Sequence, residues 1–343
     1  MVYHRVITEK PPNTGVRVEG LTGESLNQQQ MFVRSNFPLP LSPPTGFELV
    51  VPGRKSRFIT MEQFKPFEQV HRDIVLECAG NGRTLMRSVP EGVPWALDGV
   101  SPITVSGYRL TEVLGNVPEE VTEFVFTGAD VGTVPITGRI PYQFSISRDL
   151  AVSTVPVLAT HIGGEPLNLV HGGPIRLFVP GHYAMKSVKW LIRVEGVTRP
   201  FRGHFVQKYR YYGDTLASEG AAVGEIAVRS VISSPADGEP VPAGAVEVRG
   251  SAWAGESEIA TVEISIDGGD TWHPADLIRR ETGGRWAPIR WAFTAEPDPG
   301  PLVIMARATD DAGNTQPLDP RWNRNGYANN IVQRVRVRVV EPS

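Results

Sequence analysis

Apolar residues along this chain come in short runs broken by glycine and proline, a rhythm of strands and turns rather than of long helices. Residues 1–30 are polar and show no sustained period, so they read as an irregular lead-in. Met31 to Pro40 is a short apolar strand that ends in prolines, with Arg34 set among apolar neighbours where a charge needs a partner. Residues 47–70 read as a hairpin followed by a short helix, Met61 to Phe67. The run Ile74 to Leu76 reads as a buried strand, stopped by the turn signal Gly80-Asn81-Gly82. Val121 to Phe126 alternates as a strand and leads to Gly128-Ala129-Asp130, where Asp130 also suits an ordinary turn.

From about residue 226 the character changes. Ile226 to Ile232, Ala245 to Trp253, Ile259 to Ile266, Ala287 to Thr294, Leu302 to Thr309 and Val332 to Val340 read as short strands. Val262 to Ile266 and Val335 to Val339 alternate apolar and polar, the pattern of a sheet with one face in a core and one in water. Turn signals at Asp267-Gly268-Gly269-Asp270 and Asp311-Ala312-Gly313-Asn314 separate them. Roughly seven such strands predict an immunoglobulin-like sandwich, here without the cysteine pair of antibody domains. A chain of 343 residues is long for one core. Two domains follow, 1–225 and 226–343.

Composition narrows the chemistry. Hydrophobic residues make up 41%, as in a globular protein, and 35 glycines with 30 prolines favour short elements. With 34 basic and 37 acidic residues the formal charge is −3, which points to neither nucleic acid nor an anionic membrane as partner. No apolar run approaches the length of a membrane span. The N-terminal stretch has no apolar export segment. Taken as the whole gene product, the chain is expected in the cytoplasm; with a leader already removed, in the periplasm.

The single cysteine, Cys78, rules out an internal disulfide and any cysteine-rich zinc site. It stands where a strand gives way to a loop, with Arg83 just beyond it. A lone cysteine is often inert packing. A strand end beside a guanidinium is instead a place for a thiolate, the form that attacks or binds metal. A second block, His171-Gly172-Gly173-Pro174-Ile175-Arg176 followed by Ser187-Val188-Lys189, sets basic groups among glycines, an arrangement able to cradle a phosphate. Gly80-x-Gly82 lacks a third glycine in register, and no Walker A loop, His-Glu-x-x-His or haem-attachment Cys-x-x-Cys-His occurs.

The stretch Glu77-Cys78-Ala79-Gly80-Asn81-Gly82-Arg83 resembles the cysteine loop of the sulfite oxidase family of molybdenum enzymes. The resemblance runs from about residue 31 to 335. It implies a fold of α+β class: a mixed α/β molybdopterin-binding catalytic domain, a helix at Arg109 to Leu114 and a strand at Tyr142 to Ile146, followed by a dimerisation domain. It implies that Cys78 ligates molybdenum carried by a pterin, and that Arg34, Ser35, Asn36, Asp130, His171, Arg176, Ser187, Val188 and Lys189 hold the cofactor. Arg34 and Arg83 are expected to bind an oxyanion, Trp95 to line its pocket, and a tyrosine to reach the active site. Counting the aromatic-Gln-x-x-x-Tyr pattern from Gln207 gives Tyr211, flanked by Tyr209 and Tyr212. The implied reaction is oxidation of sulfite to sulfate without haem, electrons passing to a separate acceptor such as a cytochrome or oxygen, in a homodimer. Asn325 occupies a position where animal relatives carry an anion-binding Arg, which leaves nitrate or an S- or N-oxide open as substrate. A cysteine hydrolase using Cys78 and His171, or a non-enzymatic module, stand as the other readings.

Overall fold

In the computed structural model, which describes residues 4–212, 220–279, 284–319 and 322–341, the run Ile74–Leu76 lies in the strand Val70–Glu77. That strand is exposed or half-buried over His71–Asp73 and buried over its last four residues, so it dives into the core as it nears Cys78. It pairs antiparallel with Val100–Arg109, which pairs with Val157–Ile162, and short strands Glu165–Pro166 and Arg176–Phe178 complete this five-stranded sheet. A second five-stranded sheet runs in the order Arg57–Ile59, Phe47–Val50, Leu191–Val197, Glu123–Val134, Gly138–Ser147. The two sheets bury one common core, in which Phe47, Ile103, Phe126, Leu158 and Leu191 are fully enclosed.

Several elements differ from the sequence reading. The first thirty residues are not irregular throughout: His4–Thr8 and Asn13–Val16 form a hairpin that pairs with Val33–Arg34. This hairpin was hidden because its strands are short and polar, and its stabilising residues, such as Asn13 with Nδ2 donating to Thr8 Oγ1 at 2.6 Å, are not apolar. The helix expected over Met61 to Phe67 is a single 3-10 turn, Met61–Phe64. Pro66 has no N–H with which to extend it. Asp130 sits not in a turn but in a register shift between Thr127 and Val131 of the Glu123–Val134 strand. Bulges of this kind re-aim a side chain. The α-helices among the described residues, Leu110–Leu114, Arg148–Ser153 and His204–Lys208, are one or two turns each. The chain is thus mostly strands, less helical than a mixed α/β expectation.

The second unit consists of two sheets. One runs Arg229–Ser234, Val246–Trp253, Ile289–Ala295, Asp276–Ile278; the other runs Pro240–Pro242, Gln333–Val340, Gly300–Asp310, Ile259–Ser265, His273–Pro274. Val248 and Trp291 of the first and Ile264, Ile304 and Val335 of the second share one core. The alternation read in Val335 to Val339 is observed, with the valines buried and the arginines exposed.

The junction between the units is polar and buried, and it lies directly beneath the cysteine loop. Glu77 is fully buried; its carboxylate faces Arg229 Nε at 3.0 Å and accepts from Trp253 Nε1 at 2.8 Å and Asn81 Nδ2 at 2.9 Å. Asn329 Nδ2 donates to Gly82 O at 2.6 Å, and Ala328 N donates to Ala79 O at 2.8 Å. Nearby, His182 is buried; Nδ1 lies 3.1 Å from Pro180 O and Nε2 lies 4.0 Å from Glu256. Burial, and then Lys186, bring His182 down from 6.5 to about 4. The neutral ring therefore contributes stability that is complete above pH 6.5 and lost as pH falls through about 4, amounting to about 3 kcal/mol. Denaturant unfolding across pH 4–7 is expected to show this loss in the wild type and a flatter profile in His182→Gln; parallel profiles would contradict it.

Candidate active site

Cys78 is the first residue past the Val70–Glu77 strand, and its N–H donates to Gly99 O at 2.8 Å. The loop then closes through Asn81 N to Cys78 O at 2.9 Å and Arg83 N to Gly80 O at 3.1 Å. A β-carbon at Gly80 would lie 2.7 Å from the Arg83 guanidinium, so glycine is needed for that arginine to fold back across the loop. Cys78 opens on two sides. Behind it is a cavity walled by Phe32, Tyr142 and Met185 as well as by polar groups. In front is a funnel lined by Arg83, Trp95, Lys208, Asn325 and Tyr327. Arg34, Cys78 and Tyr209 line both and form the partition between them.

The inner cavity gathers residues far apart in sequence. Arg34, Ser35, Asn36, Asp130, His171, Arg176, Ser187 and Lys189 all line it. Arg34 is held by Asn36 Oδ1 at 2.7 Å, by Asn13 Oδ1 at 3.3 Å and by Ser35 O. Lys189 Nζ donates to Ser35 Oγ at 2.9 Å and lies 4.2 Å from the centre of the Trp190 ring. Arg176 donates to His171 O at 3.0 Å and Ser187 O at 3.3 Å. His171 Nε2 lies 2.7 Å from Gln28 O. Gly172 adopts a φ of +102°, and a β-carbon there would lie 2.7 Å from Lys189, so this loop needs glycine for both conformation and close approach.

The electrostatics of this cavity are those of an anion site. Burial pulls Arg176 down to about 9, still charged at neutral pH. Burial and Arg176 push Lys189 well below the ordinary lysine range, with Asp130 opposing. Burial raises Asp130 to about 6, with Lys189 opposing. Among the described residues, neither Arg176 nor Lys189 is within ion-pair distance of a carboxylate. Asp130 is the one carboxylate lining the cavity against three cations, Arg34, Arg176 and Lys189. Buried cations short of counter-charge are costly, and a phosphate placed near Arg176 and Lys189 would relieve that cost. In the funnel, Trp95 is fully buried and its Nε1 has no hydrogen-bond partner among the described residues. A pterin phosphate toward Arg176 and Lys189, and a metal at a single soft thiolate, therefore fit the groups present.

Two expected residues lie elsewhere. Val188 does not line the cavity: its side chain is buried in the hydrophobic core, while the flanking Ser187 and Lys189 face the cavity. Tyr211 faces a separate cavity at the junction with Glu225, Glu256 and Asp310. The tyrosine at the partition is Tyr209, its ring tilted 35° to that of Tyr327 at 5.1 Å between centres, with its hydroxyl 3.5 Å from Asn36 Nδ2. Counting from Gln207 missed it because the His204–Lys208 helix stops at once, and the chain turns inward at Tyr209 before continuing as the strand Arg210–Tyr211. Asn13, Gln28, Tyr142 and Lys208 were also missed. The first two lie in the stretch read as irregular; Tyr142, whose hydroxyl donates to Met185 O at 2.7 Å, stood in an expected strand without a local sign of its role.

Arg83 donates Nε and Nη2 to Asn325 O at 3.2 and 3.0 Å and Nη1 to Val93 O at 2.6 Å. It thus ties the second unit to the cysteine loop while its guanidinium borders the funnel. Asn325 and Tyr327, both from the second unit, complete the funnel wall.

A buried cavity rich in cations, opening at one thiol onto a funnel, suits a phosphate-bearing cofactor with a thiolate-bound metal. Residues 36–205 match the family described as "Oxidoreductase molybdopterin binding domain", and residues 221–340 match "Mo-co oxidoreductase dimerisation domain". The chain is 33% identical to sulfite oxidase of Gallus gallus, covering 94% of this chain and 75% of that protein. It is 31% identical to mitochondrial sulfite oxidase of Homo sapiens, covering 98% of this chain and 66% of the relative's length. Nitrate reductase [NADH] 2 of Phaseolus vulgaris is 29% identical over 91% of this chain and 39% of its own. The crystal structure of the sulfane dehydrogenase SoxCD from Paracoccus pantotrophus superposes with a TM-score of 0.83 at 23% identity, covering 98% of this chain and 88% of that one, a likeness of fold. The chain belongs to the sulfite oxidase family.

Proposed function

We propose that this protein is a molybdenum-dependent oxidoreductase that oxidises sulfite to sulfate and passes the electrons to an external acceptor, a cytochrome or oxygen, without haem of its own. The observation that carries this reading is Cys78 at the partition between the cation-lined cavity and the cationic funnel. Cys78 would bind molybdenum, Arg176 and Lys189 would hold the phosphate, and Ser35, Asn36, Asp130, His171 and Ser187 would contact the pterin. When bound, the cofactor supplies two-electron oxygen-atom transfer. The net change is sulfite plus water to sulfate, two protons and two electrons.

The chain's own groups bring the anion to the thiol side and keep it there. Arg34 is a planar donor already oriented by Asn13 and Asn36, so it loses little freedom on meeting an oxyanion. The Tyr209 hydroxyl, beside Asn36, is the group positioned to hydrogen-bond the anion and carry a proton. Tyr209→Phe is expected to lower kcat/KM for sulfite by about 10-fold to 100-fold, the value of a hydrogen bond to a charged group. Tyr211→Phe should stay within about 2-fold. Steady-state kinetics decide between them, and the reverse order would assign the role to Tyr211.

We read residues 1–225 and 226–343 as separate domains. The second is taken as an immunoglobulin-like sandwich through which two copies associate with two-fold symmetry. A second substrate reading has one observation in its favour. Position 325 at the funnel is Asn rather than the Arg expected of animal sulfite oxidases, and a nitrate reductase is among the relatives. Turnover assays separate the two readings: sulfite oxidation with an artificial one-electron acceptor supports the first. Reduction of nitrate or a sulfoxide by a reduced dye, with sulfite inert, would replace it.

A further inference from the structure

The funnel over Cys78 holds a third cation. Lys208 ends the His204–Lys208 helix and lines both the inner funnel, beside Arg34 and Arg83, and the outer groove, beside Arg324. Glu91 is the one carboxylate lining both, and it makes no ion pair with Lys208 among the described residues. The arginines around it have commitments. Arg34 gives both terminal nitrogens to Asn13, Ser35 and Asn36. Arg83 donates from all three of its nitrogens to the carbonyls of Asn325 and Val93. Arg324 lies over the Tyr212 ring, 5.4 Å from its centre, in the outer groove. Among the described residues Lys208 makes no hydrogen bond and no ion pair; its ammonium lies 5.8 Å from the Phe205 ring centre. All three of its N–H donors remain available to a ligand. Position 325 supplies no charge, since the Asn325 amide donates to Arg210 O at 3.2 Å. Burial, then the fields of Arg34 and Arg83, lower the Lys208 ammonium from its ordinary range, so like charges already converge on the space between them. An anion bound there would reverse that repulsion.

We propose that Lys208 is the anion-binding and charge-selecting residue of this funnel, supplying from the His204–Lys208 helix the cation that position 325 does not. The inference rests on the oxyanion reading above and deepens it. Lys208 takes the oxygens of a doubly charged oxyanion at the funnel mouth while Arg34 meets it from behind. The second negative charge has two cations to face, so dianions are favoured over monoanions.

Calorimetric titration of the purified holoenzyme with sulfate and with nitrate tests this, alongside Lys208→Met, Lys208→Gln and Lys208→Arg. The expected result is sulfate binding weakened about 10-fold or more by Met and Gln, and nearly restored by Arg. Nitrate binding should change by no more than about 3-fold, because one charge meets fewer partners. KM for sulfite should rise with the sulfate constant while kcat stays within about 3-fold, the signature of binding shared by ground and transition states. Sulfate bound by the wild type and equally well by the Met and Gln variants would overturn the role of Lys208 alone. A wild type that binds no oxyanion would overturn the oxyanion reading and this role with it.

Discussion

Replacing Cys78 by serine is expected to leave a folded protein that has lost more than about 100-fold of its sulfite turnover, a loss beyond that caused by removing an outer partner of a metal ligand. The reason is chemical. A serine oxygen is smaller than the sulfur and a hard donor, and it replaces the only thiolate among the cavity's lining residues, the other sulfur being the Met185 thioether. The fold should tolerate the change, because the loop is held by main-chain bonds, from Cys78 N to Gly99 O and from Asn81 N to Cys78 O. Thermal unfolding of the variant near the wild-type temperature, with molybdenum content and turnover both lost, is the expected pair of results. Retained turnover in Cys78→Ser would remove the cysteine from the chemistry.

Substitution of Glu77 by glutamine should have the largest effect on stability. Glu77 and Arg229 are both buried, and the pair joins the strand that carries Cys78 to the first strand of the second unit. Removing one charge leaves the other buried without compensation, at a cost of about 3–5 kcal/mol. Arg229→Met should cost a similar amount. The double variant, Glu77→Gln with Arg229→Met, should cost less than the two single changes added together, because neither charge is then left alone. The consequence extends to the site, since Glu77 also accepts from Asn81 of the cysteine loop and Asn329 holds Gly82. A destabilised junction should therefore lower metal retention before the protein unfolds globally. Denaturant titrations of the four proteins test this, and a Glu77→Gln cost below about 1 kcal/mol would show that the pair is not a buried clamp.

Part of the inner cavity could be read from local patterns, a strand end and turn at Cys78 and glycines around His171, Arg176 and Lys189; Arg34, Ser35, Asn36, Asp130 and Ser187 followed only from the family resemblance. The strands of the second unit could be read for a similar reason; alternation such as Val335 to Val339 reports one buried face directly. What escaped depended on the third dimension. The hairpin His4–Thr8 with Asn13–Val16 is polar, and its contribution, Asn13 bracing Arg34 and Ser35, exists only once the chain has folded back. Tyr209 rather than Tyr211 reaches the partition because a helix of little more than one turn ends before the counted spacing is complete. Val188, which the resemblance implies at the cofactor, has its side chain in the core while those of Ser187 and Lys189 face the cavity. Of the second unit's share in the funnel, Asn325 was legible through the resemblance, whereas Tyr327, which lines it with Cys78 from far along the chain, was not.

The central claim, a molybdenum site at Cys78 that is reduced by sulfite, is tested most directly by an anaerobic absorbance titration of the purified protein with sulfite. The account predicts a thiolate-to-metal band in the oxidised protein that bleaches in proportion to added sulfite until the protein is fully reduced. A protein made in a host competent for the cofactor that shows no such band and contains no molybdenum would contradict it.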